Sequence, residues 1–164
     1  MNVSAIQALV SYNDMANRMI LQHAAGLSAE QLDRPFEMGV GTLRKTLMHT
    51  WAGEHMWLQR WLGRGDTPWV AEDEAVSVAD LERRWQKTIS DRDAFLSNVS
   101  DADLPRTMTY RDSKGPHYTA SLEQMILQGL IHSIHHRAQA SNMLRRLGAG
   151  PLDLDYMYMH RKPA

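Results

Sequence analysis

The segment from Ser121 to Leu147 constrains the fold most, because it repeats apolar residues with a helical period on two of its sides. On a wheel of about 100° per residue, one stripe shares the side of His132 and His136 and consists of Leu122, Met125, Gly129, Ala140, Met143 and Leu147. The opposite stripe consists of Leu127, Ile131, Ile134 and Ala138. A helix that is apolar on two sides lies at the centre of its domain or contributes to a subunit interface.

His132 and His136 form a His-x-x-x-His pair within this segment. Residues four apart on a helix differ by about 40° around the axis, so both imidazoles can reach one point and chelate one metal ion. The alternative is a pair of hydrogen-bonded core histidines without a metal. His135 lies about 100° from His136, at the rim of the helix, and is the weaker ligand candidate.

Three other stretches have a helical period, and Gly or Pro residues follow them. With the histidine segment, they predict helices over residues 4–25, about 42–62, about 77–99 and 121–147. The third begins at Ser77, in a capping-box pattern, and its far side is charged.

The helical pattern breaks between Asp101 and Thr119. Residues 107–110 followed by 112–115 predict a strand and a turn, and hence at most a small hairpin. Long connections after the first and third helices favour an all-α four-helix bundle whose second and fourth helices meet in the core. We expect one domain over residues 1–164, a size that buries a sufficient core.

Composition excludes several classes of protein. The formal charge of -1 and the lack of a basic run disfavour nucleic-acid binding. No apolar stretch reaches membrane-spanning length and the start has no signal-peptide pattern, so we expect a cytoplasmic protein without a membrane association. The chain has no cysteine, so metal ligands must come from histidines and carboxylates, and any reactive thiol must arrive with a substrate.

The second predicted helix contributes a third histidine. His49 lies on the same side as Ala52 and Gly53, whose small size leaves room for another helix to approach closely. Three neutral imidazoles with an open fourth position are typical of catalytic rather than structural zinc sites. We therefore take His49, His132 and His136 as the candidate metal ligands.

Other residues could form the pocket around such a site. Arg60 lies about 20° from His49 and could hold an anionic substrate, although an arginine near a helix end is more often exposed. Asn13 of the first helix could also face the cavity. Glu54 and Glu123 point away from the histidine face, so the sequence identifies no general base. The second helix also carries three tryptophans, Trp51, Trp57 and Trp61. They could line the pocket, but tryptophans more often pack in the core or in a subunit interface.

Several motifs give the chain a resemblance to the DinB-like (DinB/YfiT) superfamily over nearly its whole length. They are Tyr12-Asn-Asp-Met-Ala-Asn17, Thr46-Leu-Met-His49 with the following Glu54-His-Met-Trp57-Leu, His132-Ser-Ile-His-His-Arg-Ala-Gln139 and Leu152-Asp-Leu-Asp-Tyr156. In that superfamily one histidine of the second helix and two of a later His-x-x-x-His bind a divalent metal, which corresponds to His49, His132 and His136. The resemblance therefore implies the same three ligands and a helical-bundle fold.

The resemblance also implies a range of functions. The superfamily includes bacillithiol transferases and mycothiol-dependent maleylpyruvate isomerases, so a low-molecular-weight thiol is the natural co-substrate. We expect a metal-dependent thiol transferase or hydrolase in which zinc or nickel, with iron, manganese or cobalt as alternatives, lowers the pKa of a thiol or water. The alternatives are a non-catalytic, metal-binding, stress-related dimer and a helical scaffold with structural histidines.

We also expect a homodimer. Two apolar stripes on the histidine helix and three tryptophans on the second helix exceed what one face of a four-helix bundle buries.

Overall fold

The computed structural model of the chain describes residues 1–72, 75–112 and 114–163. Within these described residues, five α-helices and one two-stranded sheet follow one another. Their bounds are α1 Val3–Ala25, α2 Ala29–Leu32, α3 Leu43–Trp61, α4 Val78–Leu96, β1 Thr107–Arg111, β2 His117–Ser121 and α5 Leu122–Arg146. Two short 3-10 helices complete the described elements: Asp101–Asp103 lies between α4 and β1, and Tyr156–Met159 lies after α5. The four long helices form the predicted all-α bundle.

Side-chain caps set where the long helices begin. Asn2, Thr42, Ser77 and Ser121 each accept a hydrogen bond from a backbone N–H three residues later, which satisfies a group that the first helical turn leaves free. These caps confirm the predicted starts to within a residue or two. The short helix α2 was not predicted, although Ser28 and Gln31 form a reciprocal capping box there.

The predicted hairpin lies between α4 and α5. Strands β1 and β2 pair antiparallel, with Thr107 opposite Ser121 and Arg111 opposite His117. Ser113, in the predicted turn, lies outside the described residues. The hairpin packs beside the end of α3, where the amide of Arg111 donates a hydrogen bond to the carbonyl of Gly65. It therefore covers the C-terminal half of α3.

Helices α3 and α5 share the most extensive contact of any helix pair in the bundle. This contact is what a site shared by the histidines of the two helices requires. One stripe of α5 is in the core, where Leu122, Met125 and Met143 are almost fully buried. On the opposite stripe Ile131 and Ile134 are 59% and 47% exposed. In the described part of the chain, every helix is too short or too polar to span a membrane.

Candidate metal centre

Three imidazoles converge where α3 crosses α5. His49 comes from the first half of α3, and His132 and His136 come from successive turns of α5. One ring nitrogen from each histidine lies within 4.8 Å of those of the other two. The ring centroids are 4.4 Å apart for His49 and His136 and 4.5 Å apart for His132 and His136. The structure thus brings together the three residues that the sequence predicted, although 83 positions of the chain separate His49 from His132.

The spacing of the nitrogens fits a metal ion. The Nε2 atoms of His49 and His132 lie 3.3 Å apart. Two ligands held about 2.0–2.1 Å from a tetrahedral ion are separated by about the same distance. Two imidazole lone pairs this close repel each other unless a proton or a cation lies between them.

The environment keeps the imidazoles of His132 and His136 neutral, as metal binding requires. Burial, reinforced by the neighbouring His136, His49 and His135, lowers the pKa of His132 to about 3. Burial also lowers the pKa of His136. The donor set therefore fits a divalent ion that accepts nitrogen ligands, and three protein ligands leave a position for an external one.

A carboxylate from the loop after α3 orients His49. The Nδ1–H of His49 donates to Glu72, whose two carboxylate oxygens lie 2.8 and 3.0 Å away. The indole N–H of Trp69 donates to the same carboxylate, and its ring lies 5.6 Å from that of His49. A proton held on Nδ1 leaves the Nε2 lone pair free toward the other histidines, which is the usual arrangement behind metal-binding histidines.

His136 has an orienting partner of a different kind. Its Nδ1–H donates to the side-chain oxygen of Gln139 at 2.9 Å, so its Nε2 is free to act as a ligand. The amide of Gln139 donates in turn to Nε2 of His135, which is exposed and lies outside the group of three. That His135 is the weaker ligand candidate stays a prediction.

Packing against α3 positions the ring of His132. Its ring lies against Gly53 of α3, in the space that a Cβ atom would occupy. Its buried Nδ1 has no hydrogen-bond partner among the described residues. The small residues beside His49 thus have the predicted role, since they let α5 and its imidazole approach the backbone of α3.

A buried polar network lies behind the histidines. The carboxylate of Glu54 accepts hydrogen bonds from Asn13, Asn17, Ser133 and Trp85, at 2.6–2.8 Å. Arg137, only 3% exposed, donates to the side-chain oxygens of the same two asparagines. Because Glu54 follows Gly53 and Ser133 follows His132 in the chain, the network connects the two helices immediately beside the ligands.

Several predicted pocket residues have other positions in the structure. Asn13 does not face the histidines, because it is buried in the network with Glu54. Trp51 and Trp61 pack in the core, at 7% and 5% exposure, as the more common alternative predicted. Arg60 is only 7% exposed, so the more common expectation of an exposed arginine was wrong.

Glu72 is the site residue that the sequence did not reveal. A helical wheel relates the histidines only to carboxylates on the same helix, whereas Glu72 lies in the connection between α3 and α4. No periodic pattern relates a loop residue to a helix face. The only available signal was its position in an otherwise apolar stretch, Pro68-Trp-Val-Ala-Glu72.

Comparison with known proteins gives a family match that covers the whole bundle. The sequence model described as the DinB family matches residues 1–163. The match includes all the long helices and all three histidines, so it extends well beyond the short motifs of the sequence. No curated protein matches the chain.

Proposed function

The chain belongs to the DinB family, and from this premise we propose that it is a divalent-metal-dependent enzyme of the thiol-transferase or hydrolase type. His49, His132 and His136 are its proposed ligands. The observation that carries the proposal is the convergence of one ring nitrogen from each of three histidines within 4.8 Å, with the Nε2 atoms of His49 and His132 3.3 Å apart.

Each part of the site has a separate task in this proposal. Glu72 and Gln139 hold the Nδ1 protons of His49 and His136, so that their Nε2 atoms are presented as ligands. Packing on Gly53 fixes the ring of His132. Bound there, the metal would act as a Lewis acid that lowers the pKa of a thiol or a water molecule.

The ligand set restricts the choice of metal, and the composition restricts the source of a thiol. Three imidazoles favour zinc or nickel, and iron, manganese or cobalt are alternatives. Since the chain has no cysteine, a thiol would have to come from a low-molecular-weight co-substrate. Glu72 already accepts two hydrogen bonds, from His49 and Trp69, so we assign it the orientation of His49 rather than the role of general base.

Cobalt substitution tests the thiol proposal. We expect cobalt-loaded protein to gain a sulfur-to-cobalt charge-transfer band in the near ultraviolet when 2-mercaptoethanol is added. Ethylene glycol, its oxygen analogue, serves as the control and should give no such band. A cobalt spectrum that is the same with and without thiol would exclude thiol ligation. It would leave the hydrolase or the non-catalytic metal-binding protein, which an assay of ester hydrolysis separates.

We also propose that the chain forms a homodimer. The support is the apolar stripe of α5 that the bundle leaves exposed, with Ile131 and Ile134 about half accessible. Light scattering at micromolar concentration should give twice the chain mass of 18.7 kDa. The double variant Ile131→Lys, Ile134→Lys should give the monomer mass, and a monomeric wild type would contradict the dimer.

A further inference from the structure

Three arginines are buried in the described part of the chain, and they differ in their partners. Arg92 forms a two-pronged ion pair with Asp14, at 2.6 and 2.7 Å. Arg137 belongs to the network that contains Glu54. Arg60 has no carboxylate within ion-pair distance among the described residues. Its side chain makes a single hydrogen bond, 3.2 Å long, to the carbonyl of Arg111, and its buried Nε has no partner.

The guanidinium of Arg60 is nevertheless held in one orientation. It stacks on the rings of Trp57 and Tyr110, with its central carbon 4.2 and 4.7 Å from their centroids. Burial lowers the pKa of Arg60, which shows that its surroundings disfavour the isolated charge. A buried charge normally requires a partner of opposite sign, and here no side chain of the described residues provides a direct one.

A cavity of about 210 Å³ lies beside Arg60. It is enclosed by the end of α3, the loop that follows it and the hairpin turn, and its walls include Met56, Arg60, Trp69 and Arg111. Trp69 also contacts the ring of His49, so the cavity adjoins the metal centre. Arg60 lies three turns after His49 on the same face of α3, about 16 Å farther along the helix axis.

We propose that this cavity binds the carboxylate group of a small-molecule substrate, with Arg60 as the main contact and Arg111 as a second cation. A carboxylate matches the planar donor edge of a guanidinium, and it would supply the direct ion-pair partner that Arg60 lacks among the described residues. That the bound molecule is a substrate rests on the function proposed above, because its reacting end would lie toward the histidines. The cavity is large enough for one end of such a molecule rather than the whole of it.

Two acidic residues restrict the charge that the cavity accepts. Asp66 and Asp112 also line it. Both carboxylates already accept hydrogen bonds, Asp66 from His117 and Asp112 from the amide of Lys114. Their negative charge should make the cavity prefer a singly charged carboxylate to a doubly charged phosphate.

Benzoate and its neutral isostere benzamide test this inference by calorimetry. We expect wild-type protein to bind benzoate and to bind benzamide at least tenfold more weakly. Arg60→Met should weaken benzoate binding about 10- to 100-fold, the usual effect of losing a charge-assisted hydrogen bond. Arg64→Met is the matched control, because Arg64 is exposed nearby and the change in net charge is the same. Equal affinity for the two probes, or unchanged benzoate binding in Arg60→Met, would overturn the inference.

Two further experiments test the carboxylate site even if Arg60→Met folds poorly or the metal proposal fails. In wild-type protein, nuclear Overhauser effects should connect the benzoate ring with the Met56 methyl group and the Trp69 indole. If the benzoate ring shows nuclear Overhauser effects only with residues outside the cavity, the result would contradict the assigned site. Benzoate binding should also persist in His132→Gln, because His132 does not line the cavity. Wild-type protein that binds benzoate but no divalent metal would thus refute the metal centre while leaving the carboxylate site supported.

Discussion

The imidazole of His132 lies against Gly53, in the position that a Cβ atom on that residue would fill. At this point a ligand side chain of α5 packs against the backbone of α3. It fixes the ring of His132 opposite His49, whose Nε2 atom lies 3.3 Å away. Because residue 53 is a glycine and carries no methyl group, the ring of His132 has the space it needs for the three imidazoles to converge.

Gly53→Ala should separate metal binding from folding. The added methyl group must displace the ring of His132, which is the end of a side chain and can turn away at little cost. Alanine also favours the helix over glycine by up to about 1 kcal/mol. We expect the melting temperature of the metal-free protein to stay the same or rise, while metal affinity falls at least tenfold. Calorimetric metal titration and thermal melting measure the two quantities.

The matched control for this variant is Gly129→Ala. Its Cβ would meet Trp57 and Trp61 at 3.3 and 3.4 Å, away from the ligand nitrogens. We expect it to change stability and to leave metal affinity near the wild-type value. Wild-type metal affinity in Gly53→Ala would show that close packing at Gly53 does not position His132.

Glu72→Ala should weaken metal binding without unfolding the protein. The carboxylate orients His49 through Nδ1, and loss of such a partner typically reduces metal affinity 10- to 100-fold. Glu72→Gln retains an acceptor oxygen, so we expect an intermediate affinity. Glu37→Ala, at an exposed position, serves as the control. Equal affinities in all four proteins, measured by competition with a chelator, would refute the orienting role.

The histidine cluster should make the metal-free protein less stable as the pH falls below 6.5. Burial lowers the pKa of His132 from 6.5 to about 3, so between these values the unfolded state binds a proton that the folded state does not. Its contribution to stability is thus complete above pH 6.5 and is lost progressively toward pH 3. We expect the free energy of unfolding, from urea titrations after chelation, to fall less between pH 7 and pH 4.5 in His132→Gln than in wild type. A variant with the same pH dependence as wild type would contradict this account.

The buried network should contribute more to stability than surface ion pairs do. Glu54→Gln removes the negative charge of Glu54. Hydrogen bonds through Asn13, Asn17 and Ser133 link this charge to the buried guanidinium of Arg137. Breaking a buried charge arrangement typically costs about 3–5 kcal/mol. Asp91→Asn, in the exposed pair with Lys87, should cost at most about 1 kcal/mol. Urea unfolding of both variants measures the difference, and similar small losses would mean that the network contributes little.

The sequence predicted those features that depend on helical period and on local signals. The long helices, the hairpin and the triad all follow from apolar spacing, caps, turn residues and a His-x-x-x-His pair. Two histidines on one helix share a face by geometry alone. The small residues next to His49 then indicated where a second helix could approach.

The rest depended on contacts between segments with no common period. Glu72 reaches His49 from a loop, and a helical wheel contains no information about loops. The wheel placed Arg60 on the side of His49 but could not show that Tyr110 of the hairpin would cover it. The sequence suggested that Asn13 could face the cavity, whereas Asn13 donates a hydrogen bond to the carboxylate of Glu54, on a different side of α3. In each case tertiary packing, rather than local pattern, decides the role of the residue.

The most direct test of the metal centre is elemental analysis of purified protein after reconstitution with divalent metals. The account predicts near-stoichiometric metal in wild type and in His135→Ala, and little or none in His49→Ala and His132→Ala, which remove ligands from two different helices. Circular dichroism should show that all four proteins are folded. A wild type that binds no metal after reconstitution, or ligand variants that retain as much as wild type, would contradict the three-histidine site.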